Sequence, residues 1–105
     1  MSDKAWKQWE RDVAALFGGQ RRGADFRSVN GGKNDVIVDG WSIECKLLSR
    51  PSWGDLVASV QQARDAAESG DIPIAVVRKK GQLKGDALVV MNIGDFINFF
   101  GGGIG

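Results

Sequence analysis

The sequence predicts an α/β (α+β) fold: a single domain with a central mixed β-sheet flanked by helices. Three observations carry this: an amphipathic opening stretch, two β-branched or aromatic runs joined at Asp39-Gly40, and a second helical stretch followed by further strands. With 105 residues, 43% hydrophobic and 26% charged, the chain has the balance of one globular domain and no room for a second.

From Asp3 to Phe17 the large apolar residues fall at Trp6, Trp9, Val13, Leu16 and Phe17. That recurrence of three and four predicts a helix, and Gly18-Gly19 ends it. Gln20 to Asp25 reads as a polar, arginine-bearing connection, and Phe26 to Val29 as a short strand ending at the turn Asn30-Gly31-Gly32. Asp35 to Asp39 and Trp41 to Leu47 are the two arms of a hairpin. Pro51 ends the extended segment, and Trp53 to Ser69 reads as a second helix stopped by Gly70. Ile72 to Arg78 is expected as a strand, with Pro73 near its start, where a missing N–H is tolerated. After a basic loop come a strand over Ala87 to Met91 and a short helix over Asp95 to Phe100. Residues 1–100 form the expected domain, and the glycine-rich residues 101–105 a flexible tail.

Composition removes whole classes of chemistry. The chain has no histidine and one cysteine, Cys45. A Ser-His-Asp or Cys-His triad, an imidazole base, an internal disulfide and a thiolate zinc cluster are therefore excluded within this chain. Any catalysis has to use carboxylates and lysine, with or without a hard metal ion bound through oxygen. No apolar run approaches the ~18 residues of a membrane span, and the polar start lacks the apolar core of a secretory signal. A soluble, cytoplasmic protein with no membrane partner is expected.

Strand alternation puts Ser42, Glu44, Lys46 and Leu48 on one face, and Trp41, Ile43, Cys45 and Leu47 on the other. A charged pair at i and i+2 within an apolar strand is unusual, because a helix is expected to cover that face. Asp35 opens the neighbouring strand across a tight hairpin, so its carboxylate can lie beside Glu44. Two converging carboxylates repel unless a cation or proton sits between them, and a divalent metal satisfies both. Mg²⁺, with Mn²⁺ as substitute, suits an oxygen-only site completed by water and phosphate oxygens. The ammonium of Lys46 would orient the attacking water and offset charge developing in phosphodiester hydrolysis.

Asp35, eight residues, then Glu44-Cys45-Lys46 resembles the PD-(D/E)XK nuclease signature, with Asn34 standing where the family often has proline. The resemblance covers most of the chain and implies the restriction-endonuclease-like αβββαβ core. It implies Asp35 and Glu44 as metal ligands, the Cys45 backbone carbonyl as another, and Lys46 as the catalytic lysine. Within the superfamily the chain looks most like small Holliday junction resolvase-type and phage-encoded endonucleases, which place a glutamate on the first helix near the metals. Glu10 matches it, and it borders the Trp6/Trp9/Val13/Phe17 stripe at about 40° from Trp6. A glutamine on the second helix is also part of the pattern. The "QA" pair favours Gln62, whereas periodicity leaves Gln61, flanking Leu56/Val57/Val60, equally open.

Charge is polarised behind a formal net charge of +1. Arg21, Arg22, Arg27 and Lys33 outweigh Asp25 between residues 20 and 34. Residues 78–84 carry Arg78, Lys79, Lys80 and Lys84 with no acid, while Asp55, Asp65, Glu68 and Asp71 face only Arg64. Arg21, Arg22, Arg27, Lys33, Lys79 and Lys80 are the expected phosphate contacts. The resemblance implies a Mg²⁺-dependent DNA endonuclease cutting branched DNA in recombination, as a homodimer, in a bacterial host if phage-encoded. The alternatives are a phage nicking or structure-specific nuclease on flaps or duplex, and a non-catalytic DNA-binding or assembly module. Trp6, Trp9, Trp41 and Phe17 are expected in the core, Cys45 as a buried small hydrophobe, and Phe96/Phe99/Phe100 as a core cap or a dimer patch.

Overall fold

The computed structural model describes residues 3–21 and 36–101. Helix α1 (Asp3–Phe17) is followed by strands β1 (Gln20–Arg21), β2 (Val36–Val38) and β3 (Trp41–Leu48). Helix α2 (Trp53–Ala66) leads to β4 (Ile72–Lys79) and β5 (Leu88–Val90), and α3 (Ile93–Phe96) continues as a π turn over Ile97–Gly101. The strands form one mixed sheet in the order β1-β2-β3-β4-β5. Only β3 and β4 are parallel, joined through α2, and the other neighbours are antiparallel. The α/β (α+β) single domain predicted above is the observed class.

Among the described residues α1 lies on one face of the sheet and α2 on the other. Trp9, Val13 and Ala14 of α1 pack on Val36, Ile43, Cys45, Ile74 and Val76. Val60 and Leu56 of α2 pack on the opposite face, against Ala75, Val77, Leu48 and Val90. The Ser42 Oγ hydroxyl donates to the Ala63 carbonyl at 2.6 Å and fixes α2 across the start of β3. β4 is covered on both sides, so residues 73–77 are all buried and the strand reads as a continuous apolar run. Pro73 precedes Ala75, where pairing with β5 begins, so β3 is its one strand neighbour.

Several boundaries differ from expectation. Gln20–Arg21 is a strand, not a connection: it pairs with Ile37 and Val36 directly after the helix ends. α2 stops at Ala66 instead of Ser69, because the Asp71 carboxylate accepts from the Glu68 N–H at 3.0 Å and draws the chain out of the helix. The last helix begins at Ile93, two residues early, where the Asn92 side chain accepts from the Gly94 N–H at 2.9 Å. Trp9 is buried, but Trp6 is 44% exposed and leaves the expected core. Val57 is also exposed, because the buried stripe of α2 runs through Ser59, Val60 and Ala63. The expected strand Phe26–Val29 and residues 102–105 lie outside the described residues.

Candidate active site

β3 is the backbone of the site. Its alternation is as the sequence requires: Trp41, Ile43, Cys45 and Leu47 join the α1-side core, while Ser42 and Leu48 contact α2 and its cluster. Glu44 and Lys46 therefore share the α2-side face. Their side chains meet, Lys46 Nζ lying 3.3 Å from a Glu44 carboxylate oxygen, with 30% and 12% of the respective side chains exposed. A glutamate this enclosed carries its charge at a cost, which the neighbouring ammonium offsets.

Glu10 is buried at 6% exposure, as its place beside the apolar stripe of α1 predicted. Two contacts set its height. Phe17 meets Trp41 edge to face at 6.0 Å, and the Arg78 guanidinium lies over the Trp9 ring at 5.2 Å. α1 thus runs antiparallel to β3. Glu10 stands seven residues before Phe17, about 10 Å along the helix, and Glu44 three residues after Trp41, about 10 Å along the strand. The two carboxylates lie at the same level but approach from opposite faces. The β2–β3 ladder within the described residues ends at Val36↔Ile43, one residue before Glu44.

Asp35 lies outside the described residues, as do Arg22, Arg27 and Lys33. Arg21 stands in β1. Among the described residues no group of three His, Cys, Asp or Glu could hold a metal. The donors present, Glu10 and Glu44, are hard oxygens and fit a magnesium-type ion better than a soft one. The Cys45 side chain is buried in the α1-side core, so only its backbone is on offer to such an ion. Gln61 and Gln62 are both exposed. Gln61 is engaged with Asp65 at 2.8 Å, while Gln62 stands one turn after the buried Ser59, at the border of the sheet-facing stripe.

The second basic cluster divides sharply. Arg78 is held between Trp9 and the Gln82 carbonyl, to which its Nε donates at 2.8 Å, and Lys84 pairs with Asp12 at 3.3 Å. Lys79 and Lys80 are exposed and make no ion pair among the described residues. The Lys80 N–H donates to the Leu48 carbonyl at 2.9 Å, tying the end of β4 to the end of β3. Arg50 and Trp53, also exposed, stand just beyond β3 and were not singled out from the sequence. The run Arg50-Pro51-Ser52-Trp53 offered a signal in its helix-start pattern, since a tryptophan at the first helical position has no earlier turn to pack on. No family model matches the chain, and neither a curated protein nor a solved structure matches it.

Proposed function

We propose that the chain is a Mg²⁺-dependent DNA endonuclease of the PD-(D/E)XK kind, hydrolysing phosphodiesters, with resolvase-like cleavage of branched DNA as its activity. The observation that carries this is the Glu44–Lys46 pair, an acid and an ammonium 3.3 Å apart on the sheet face that α2 covers, with a further buried carboxylate, Glu10, on α1. A carboxylate set that holds a cation beside a lysine is what phosphodiester hydrolysis needs.

In this reading Glu10, Glu44 and the Cys45 carbonyl hold the ion together with Asp35, the residue that precedes the Val36↔Ile43 pair in sequence. Bound there, Mg²⁺ supplies Lewis-acid polarisation of the phosphate. Lys46, oriented by Glu44, positions the attacking water and balances the negative charge that grows on the phosphoryl oxygens. The P–O bond to the leaving alcohol breaks, and the proton ends on that oxygen. Gln62 borders the site from α2, and Lys79 and Lys80, with Arg21, Arg22, Arg27 and Lys33, contact flanking phosphates. Paired cuts in a four-way junction need two such sites, so the reading includes a homodimer, acting in the cytoplasm of a bacterial host. Among the described residues no helix is long and apolar enough to cross a membrane.

The test is cleavage of labelled four-way junction, flap, linear duplex and single-stranded DNA with Mg²⁺ or Mn²⁺, by wild type and Lys46→Ala, with a chelator control. Symmetric junction cuts that vanish in the variant support the full proposal. Cleavage of every substrate leaves a nuclease without the resolvase activity. Binding with no cutting leaves a DNA-binding module.

A further inference from the structure

Trp53, at 80% exposure, is the most exposed large apolar residue among those described. It precedes Val60 by seven residues and so lies in line with the sheet-facing stripe of α2, yet its side chain is left exposed. The helix begins near the end of β3. Ser42 meets Ala63 near the far end of α2, and ten residues, about 15 Å, separate Ala63 from Trp53. Travelling the same distance along β3 from Ser42 reaches Lys46 and Leu47, next to the strand's last residue, Leu48.

Three cations stand at the same end of the sheet. Arg50 stands three residues before it, and Leu48 is paired with Lys79 and bonded to Lys80. One end of the sheet therefore presents an exposed indole among three exposed positive side chains, on the face that holds Glu44 and Lys46. Charge of that sign suits a phosphate backbone, and a bare indole suits the face of a nucleobase. Paired bases inside a duplex have no free face to offer.

We propose that Trp53 stacks on an unpaired base of a DNA strand whose phosphates lie along Arg50, Lys79 and Lys80, making unpaired nucleotides beside the cut the feature recognised. The position of the cut rests on the nuclease reading; the stacking does not. The test is fluorescence anisotropy in EDTA, without turnover, on a single strand, a gapped duplex and an intact duplex of equal length. Wild type, Trp53→Ala and Trp53→Phe are compared, each checked by circular dichroism for an unchanged fold. Trp53→Ala is expected to weaken binding to the single strand and the gapped duplex by roughly 5- to 100-fold, with intact duplex changed less than about two-fold, and Trp53→Phe to restore most of the affinity. Equal weakening on all three DNAs, no weakening on any, or a change in self-association alone, as for a partner copy on this surface, overturns the proposal. Selective weakening with no Mg²⁺-dependent cutting by the wild type would sink the nuclease reading and keep the stacking. Cutting without selective weakening would do the reverse.

Discussion

Lys46 stands where two demands meet, since the same ammonium compensates Glu44 and keeps 30% of its side chain exposed on the α2-side face. Lys46→Met retains most of the stem's volume and removes only the charge. Cleavage is expected to fall by about 10²- to 10³-fold in single-turnover kinetics. The pair is partly solvated, so the melting temperature should drop by about 5 °C or less. A collapse of stability in step with activity would instead make the pair a structural one. The shared face of Glu44 and Lys46 was legible because a strand has a period of two and one register error would expose Ile43 and Cys45. Glu10 was legible for the same kind of reason, lying beside Trp9 on a helix whose apolar stripe is unambiguous. Trp6 was not. It has the angular position of the stripe, but Trp9 already meets Arg78, the last residue of β4 on that face, so a side chain one turn earlier overhangs the sheet. Angle is written in the sequence, whereas the length of the opposing sheet is a tertiary fact.

At the scale of elements, the join between α1 and β1 is constrained at both of its glycines. The Gly18 N–H donates to the Ala15 carbonyl at 3.2 Å and the Gly19 N–H to the Ala14 carbonyl at 2.8 Å, the Schellman pattern, with Gly18 at φ 71°. The two glycines serve different ends. A Cβ on Gly18 would meet nothing, whereas one on Gly19 would collide with the Ile37 carbonyl and the Val38 side chain. Gly18→Asn should therefore be mild, because asparagine tolerates the left-handed region. Gly19→Ala or Gly19→Asn should each cost about 1–3 kcal/mol and lower the melting temperature by about 5 °C or more. Thermal melts of the three variants check this, and equal destabilisation at the two positions would refute it. The close approach at Gly19 is also what lets a strand begin at Gln20, and two residues are too few for any periodicity to announce. The start of α2 was easier to read. Ser52 accepts from the Asp55 N–H at 3.1 Å while the Asp55 carboxylate accepts from the Ser52 N–H at 2.9 Å, so Ser52→Ala should cost about 1 kcal/mol in the same melts.

The polarity of the whole molecule was visible as blocks of like charge, but their uses were not. Three of the acids in and after α2 serve local structure: Asp55 caps the helix, Asp65 accepts from Gln61, and Asp71 accepts from the Glu68 N–H. Arg78 is held against Trp9 and the exposed Lys84 is paired with Asp12, which leaves Lys79 and Lys80 as the exposed charges of residues 78–84 with no ion pair among the described residues. In the proposed reading, an approaching DNA backbone would be drawn to the end of the sheet where β3 and β4 finish. Asp65 lies twelve residues along α2 from Trp53, about 18 Å, beyond the ~8–10 Å over which exposed charges act at physiological salt. Replacing both Lys79 and Lys80 by alanine should flatten the dependence of log Kd on log salt concentration by about 2, roughly one for each phosphate that a lysine no longer neutralises. Asp65→Asn should leave that slope and the affinity at physiological salt unchanged. Binding titrations over a series of salt concentrations measure both. A slope that responds to Asp65 and not to the lysines would place the DNA along α2, away from Glu44 and Lys46, and no phosphate held there could reach them.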